Sequence, residues 1–214
     1  MLFPVFFWNH GFFDVCGSEA CNADRIYPAQ HDCRQSGTAL YRLPDCEAGI
    51  SLAQQKTAEI RQTFPMPEVV LTSPMRRCVQ TAEILFPDTP REIVYGLQEC
   101  DFGDFEGKNY AELSGDPAYQ AWIDSGGTLA FPGGESRAAF LQRCCQALEQ
   151  ALQRQQHQTV AAVVHGGTIM AVLSALEEQQ KPYFSWQAGH CEPILCTVTG
   201  TEPLRLRQQL TERS

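Results

Sequence analysis

Thr159-Val160-Ala161-Ala162-Val163-Val164-His165-Gly166-Gly167-Thr168 is the stretch on which the fold turns. Val160 to Val164 is an unbroken run of small or β-branched apolar residues. A strand buried on both faces of a parallel sheet has this pattern. The run stops at a histidine, two glycines follow, and Thr168 opens a second apolar segment, Ile169 to Leu176. The order implied is buried strand, tight turn, threonine N-cap, helix. It puts an imidazole at the carboxyl end of a central strand, the edge where open α/β sheets bind ligands. The helix N-terminus beside it offers free N–H groups that seat an anion, with Gly166 among the expected anion-binding residues. A histidine can simply finish a strand. The two glycines favour function, because they leave backbone room that a ligand needs and a structural histidine does not.

Outward from this stretch the chain alternates strands and helices. Ile50–Phe64 places Ile50, Ala53, Ile60 and Phe64 on one face among polar residues, so an amphipathic helix is predicted, ended by Pro65 and Pro67. Val69-Val70-Leu71 is a short buried strand. Thr72-Ser73-Pro74 then turns into a helix from Met75 to about Leu85, with Ser73 as the expected cap. Arg76 and Arg77 fall in its first turn, where cations oppose the helix dipole. Two arginines there, just past a strand's carboxyl end, suggest an anion in the same place, although solvated arginines are the plainer account. Ile93-Val94-Tyr95 is predicted as a strand. The loop Leu97–Gly107 has no period and holds Glu99, Asp101, Asp104 and Glu106. Such loops usually carry function or a metal. Calcium spacing is absent, so no metal is expected. A carboxylate of raised pKa beside a phosphate can instead donate a proton.

Short helices are expected near Tyr110–Leu113 and Pro117–Ser125. A longer one runs from a Ser136 cap to about Gln155, followed by late strands Ile194–Val198 and Leu204–Gln208. Alternating strands and helices predict a mostly parallel sheet with helices on both faces. With 214 residues and no repeat or linker, one domain spanning 1–214 is expected. A net charge of −9 argues against nucleic acid or an anionic membrane as partner, but not against a small phosphorylated molecule. No apolar run approaches the ~18 residues of a membrane span. Met1–Trp8 lacks the basic lead and cleavage site of a signal peptide. The 10 cysteines match neither zinc nor disulfide spacing, so reduced thiols in the cytoplasm are expected.

Four blocks, in order, carry a resemblance: Ser73-Pro74-Met75-Arg76-Arg77-Cys78-Val79-Gln80-Thr81-Ala82, Leu97–Gly107, Gly133-Gly134-Glu135-Ser136 and Val164-His165-Gly166-Gly167-Thr168. Together they resemble the histidine phosphatase superfamily, in its phosphoglycerate mutase-like branch, over about residues 44–198. The resemblance implies a three-layer α/β/α fold. It implies a metal- and cofactor-free transfer of a phosphoryl group from a monoester to a histidine, then to water. By the same resemblance Arg77 binds phosphate, Glu99 is the general acid and His165 binds the phosphoryl oxygens. The cover between the acidic loop and the Gly-Gly-Glu-Ser turn, Lys108 to Pro132, is short. The family's mutases carry longer insertions there, so hydrolysis is expected over mutase activity.

The opening of the chain departs from this pattern. The family begins with a strand ending in Arg-His-Gly, whose histidine is the nucleophile. Phe3–Trp8 followed by Asn9-His10-Gly11 imitates it, with Asn9 in the arginine's place. His10 is the candidate nucleophile on that reading. Residues 1–42 otherwise lack periodicity and read as aberrant, either disordered or translated in another frame. Back-translated and read one base later, Tyr27-Pro28-Ala29 is compatible with isoleucine-arginine-histidine. A frame-corrected strand would then be expected beside the His165 strand. Two functions follow: a phosphatase acting on a small phosphate monoester, or an inactive relative that keeps only the phosphate pocket.

Overall fold

In the computed structural model, residues 3–10, 47–108, 110–155, 159–187 and 191–209 are described. In chain order these form β1 (Phe3–His10), α1 (Glu47–Thr63), β2 (Val69–Thr72), α2 (Arg76–Leu85), β3 (Arg91–Ile93), α3 (Tyr110–Leu113), α4 (Pro117–Asp124), α5 (Arg137–Arg154), β4 (Val160–His165), α6 (Gly166–Leu176), β5 (Pro193–Thr201) and β6 (Leu204–Gln208). The strands make one sheet in the order β3-β2-β4-β1-β5-β6. β3, β2, β4 and β1 run parallel, while β5 pairs antiparallel with β1 and β6 antiparallel with β5.

β4 is central and every residue in it is buried. Its side chains alternate between two cores, as the period of two in a strand demands. Val160, Ala162 and Val164 join Val5, Phe7 and Leu71 against Phe140, Cys144 and Leu148 of α5 and Ile169 and Val172 of α6. Ala161 and Val163 join Val70 against Ile60 of α1 and Cys78, Ala82 and Leu85 of α2. Helices therefore cover both faces, which is the expected three-layer α/β/α arrangement. Small residues in β4 let both helix layers approach a strand that has no solvent face.

Several local readings are corrected. The predicted strand Ile93–Tyr95 lies earlier, at Arg91–Ile93, and Tyr95–Leu97 is a 3-10 turn. Val94 N–H still bonds Thr72 O at 2.9 Å, so the ladder ends there. Gly96 then presses on Ala147 of α5, where an added Cβ would collide with the alanine methyl. Thr168 is not the cap of α6. The helix starts three residues earlier than expected, with His165 at the N-cap, and Thr168 Oγ1 lies 3.4 Å from Leu97 O and 3.3 Å from Gln98 O. Ser73 does not cap α2 either, since Met75 is its N-cap. Ser136 does cap α5, accepting from Ala139 N–H at 3.2 Å.

The position beside β4, expected for a frame-corrected strand, is held by β1. It pairs parallel with β4 from Val5↔Val160 to His10↔His165 and antiparallel with β5 on its other edge. Val5 and Phe7 are buried in the core. Residues 22–42, on which the frame reading rests, lie outside the described residues.

Candidate active site

Three parallel strands deliver residues to one edge of the sheet. β4 ends at His165, β1 ends at His10 directly across the ladder, and β2 runs into Ser73. Adjacent strands lie about 4.8 Å apart, so the backbones of the two histidines are immediate neighbours. α2 and α6 both start at this edge, so two helix N-termini converge there.

His165 is fully buried. Its Nδ1 lies 3.1 Å from Arg77 Nη2 and its Nε2 lies 2.7 Å from Ser73 Oγ. A guanidinium can only donate, so Nδ1 must accept. The ring proton then sits on Nε2 and is donated to Ser73 Oγ. Ser73 Oγ also accepts from Met75 N–H at 3.3 Å. Cys78 Sγ packs on the imidazole 3.5 Å from Nε2. The ring is thus held by α2 on one side and by its own strand on the other. Of the two first-turn arginines, Arg76 is exposed and Arg77 is half-buried and turned inward. Helical geometry separates them, because adjacent residues point about 100° apart.

Glu99 lies at the same edge and is 2% exposed. Its Oε1 accepts from Cys100 N–H at 3.0 Å and its Oε2 from Gly167 N–H at 3.4 Å. Burial pushes its carboxyl above the ordinary value of 4.5. The Cys100 N–H, the Arg77 charge, the Gly167 N–H and the Arg143 charge oppose the rise without cancelling it. Gly167 is a steric requirement, since a Cβ there would strike Glu99 Oε1. Gly167 therefore admits a carboxyl group against the first turn of α6.

Two other carboxylates of this loop serve its own backbone. Asp101 Oδ1 accepts from Gly103 N–H at 3.0 Å and Glu106 Oε1 from Phe102 N–H at 3.2 Å. The loop is locked to the Phe131–Ser136 turn by Glu135 N–H to Asp101 O at 2.8 Å and Asp104 N–H to Pro132 O at 2.8 Å. Gly103 has φ +55° and its α-carbon lies against Pro132 O, so no side chain fits there. Edge-to-face contacts of Phe102 and Phe105 with Phe131 close the joint.

The edge thus gathers Arg77, Glu99, His165, Gly166 and the backbone of His10. The described residues contain no cluster of three or more His, Cys, Asp or Glu able to hold a metal ion. Sequence reasoning missed Ser73 as a partner of His165. It also missed Tyr183, whose hydroxyl donates to Gly167 O at 3.4 Å, and Arg143, which bonds Glu99 O at 3.3 Å. The only available signal was a serine at the end of a buried strand. Nothing in the pattern around Tyr183 or Arg143 marked them.

The model of the histidine phosphatase superfamily (branch 1) matches residues 44–207. No curated protein sequence matches the chain. Among solved structures, mycobacterial glucosyl-3-phosphoglycerate phosphatase complexed with inorganic phosphate superposes with a TM-score of 0.73 at 22% identity, over 99% of this chain and 98% of that one. The alpha-ribazole phosphatase of Shigella flexneri gives 0.72 at 19%, over 98% and 96%. A phosphoserine phosphatase from Entamoeba histolytica, in complex with phosphoserine, gives 0.72 at 20%, over 97% and 95%. At these identities the likeness carries the fold. The family match spans most of the chain, and on it the protein belongs to the histidine phosphatase superfamily, branch 1, a family of phosphatase enzymes.

Proposed function

We propose that this chain hydrolyses the phosphate monoester of a small metabolite through a phosphohistidine, acting as a single domain in the cytoplasm. The observation that carries the reading is the register of β1 on β4, which sets His10 opposite His165 at the edge where Arg77, Glu99 and the N-terminus of α6 converge.

In this reading an imidazole nitrogen of His10 attacks phosphorus and the P–O bond to the leaving group breaks. Arg77, His165 and the N–H of Gly166 at the start of α6 stabilise charge on the three equatorial oxygens. Arg77 donates to His165 Nδ1, and a phosphate would compete for the same donor. Glu99, its carboxyl pushed up by burial, gives its proton to the departing oxygen. The resulting carboxylate then takes a proton from water. That water attacks the phosphohistidine, the P–N bond breaks, and inorganic phosphate leaves. The short cover, residues 108–132, supports hydrolysis over mutase transfer, because water can reach the intermediate. The structural relatives named for small phosphate esters support a substrate of that size. The net charge of −9 supports neither nucleic acid nor an anionic membrane as partner. No helix of the described residues is long and apolar enough to cross a membrane.

One observation favours a second reading. Asn9 stands where the resemblance expects an arginine, so one phosphate-binding cation is absent, as in an inactive relative that only binds phosphate. Turnover of an aryl phosphate, measured beside vanadate binding, separates the two. Turnover lost in His10→Ala supports the phosphatase. Tight vanadate binding without turnover in the unmodified chain supports the binding relative. Sequencing the coding DNA around codons 22–42 tests the frame reading directly.

A further inference from the structure

Arg143 of α5 lies behind the acidic loop, and all five of its N–H donors have partners. Nη1 donates to Gly96 O at 2.9 Å and Gln98 O at 3.2 Å. Nη2 donates to Glu99 O at 3.3 Å and Glu135 Oε2 at 2.7 Å, and Nε donates to Glu135 Oε1 at 2.8 Å. Glu135 Oε2 also accepts from Asp101 N–H at 3.3 Å. One fork-to-fork ion pair therefore grips the backbone on both sides of Glu99, three carbonyls through the arginine and one amide through its partner. The guanidinium meets the backbone carbonyl of Glu99 and its charge is answered by Glu135. It reaches the Glu99 carboxyl only as a charge through space, without a hydrogen bond to it. The carboxyl has few anchors of its own, namely the next residue's N–H and a 3.4 Å bond from Gly167. Arg143 and Glu135 are 30% and 18% exposed, so the pair is well shielded from solvent.

We propose that Arg143, held by Glu135, is a positioning residue that sets the Glu99 carboxyl at the site edge, its reach depending on the guanidinium fork. The inference rests on the reading of Glu99 as proton donor. Lysine keeps the charge but offers three donors from one nitrogen and cannot span carbonyls 96, 98 and 99 together with Glu135.

The test compares Arg143→Lys, Glu135→Gln and Glu99→Gln on an alkyl phosphate, whose leaving group needs a proton, and an aryl phosphate, which needs little. The expected result for Arg143→Lys is a fall in kcat of about tenfold or more on the alkyl ester and under about threefold on the aryl ester, with KM for each little changed. In a Glu99→Gln background, Arg143→Lys costs nothing further on the alkyl ester. Equal losses on both esters, or a further loss in that background, overturn the inference. If Glu99→Gln shows no difference between the esters, the proton-donor reading fails and this inference with it. A difference in Glu99→Gln without one in Arg143→Lys overturns this inference alone. Glu135→Gln carries the same comparison should Arg143→Lys not fold. Carbon-13 NMR of the Glu99 carboxyl needs no turnover. Its titration moves toward 4.5 in Arg143→Lys as water enters, and an unmoved titration overturns the inference.

Discussion

Residues 44–207 match the family pattern, whereas Phe3–His10 lies before that match and still holds a central place in the sheet. The two regions satisfy different demands. A slot between β4 and β5 asks for an extended apolar run with partners on both edges, and Val5 and Phe7 fill it. Catalysis asks for particular side chains at the strand's end. Apolar pattern alone secures the first demand, so the two can part. The register sets the His10 backbone beside His165 and leaves the chemistry to the side chains, which makes the histidine pair the place to break the comparison.

The largest effect is expected from His10→Ala. If β1 supplies the nucleophile, aryl phosphate turnover falls by at least ~10³-fold, since covalent catalysis loses its attacking group. An unchanged rate would reduce β1 to a space-filling strand. Next come Arg77→Ala and His165→Ala, which lie within the matched region. Each removes a charge-assisted or buried hydrogen bond of about 1.5–3 kcal/mol. Vanadate binding, followed by inhibition or calorimetry, should weaken roughly ten- to a hundredfold in each. Undiminished affinity in both would move the pocket away from this edge.

A smaller effect of opposite sign is expected from Asn9→Arg, which restores a cation where the resemblance expects one. One further charge-assisted hydrogen bond should raise kcat/KM about tenfold. The gain should vanish when His10→Ala is added. A gain that survives in that double variant would show that the arginine acts on binding to a site His10 does not serve.

The buried strand with its terminal His165 and the alternation around it were legible because a run of five apolar residues has few other readings. Glu99 and Arg77 were legible through the resemblance. Physics then separates Arg77 from Arg76, because only one of two neighbours on a helix can face the site. The polar joints were not legible. Ser73 meets His165 across 92 positions, and Arg143 meets Gly96 across 47. Contacts at such separations leave no period in the chain. Thr168 misled because a threonine after two glycines looks like a cap, while α6 begins on those glycines. The strand character of Phe3–Trp8 was visible, but its place in the sheet depends on edges offered by β4 and β5, far along the chain.

The smallest effect concerns stability and isolates the Glu99 proton. Burial raises the Glu99 pKa above 4.5, so between 4.5 and the raised value the folded chain holds more protons than the unfolded one. By linkage, this group's contribution to stability is full below 4.5, falls as pH climbs through the folded pKa, and is flat beyond it. Glu99→Gln cannot ionise and lacks that decline. It gives up one acceptor, because the amide can accept from Cys100 N–H or Gly167 N–H but not both, which costs about 1 kcal/mol at every pH. The variant should therefore melt below the parent in acid and gain on it as pH rises above 4.5 toward the raised folded pKa. Each kcal/mol of difference is worth about 2–4 °C in a domain of this size. Paired thermal melts across that range test the sign, since the other titrating groups are common to both proteins and cancel. A constant gap between the curves would show that Glu99 keeps one charge state throughout. A gap that widens against the variant as pH rises would mean that the Cys100 and Gly167 donors and the two arginines outweigh burial, leaving the carboxyl ionised and unfit to donate a proton.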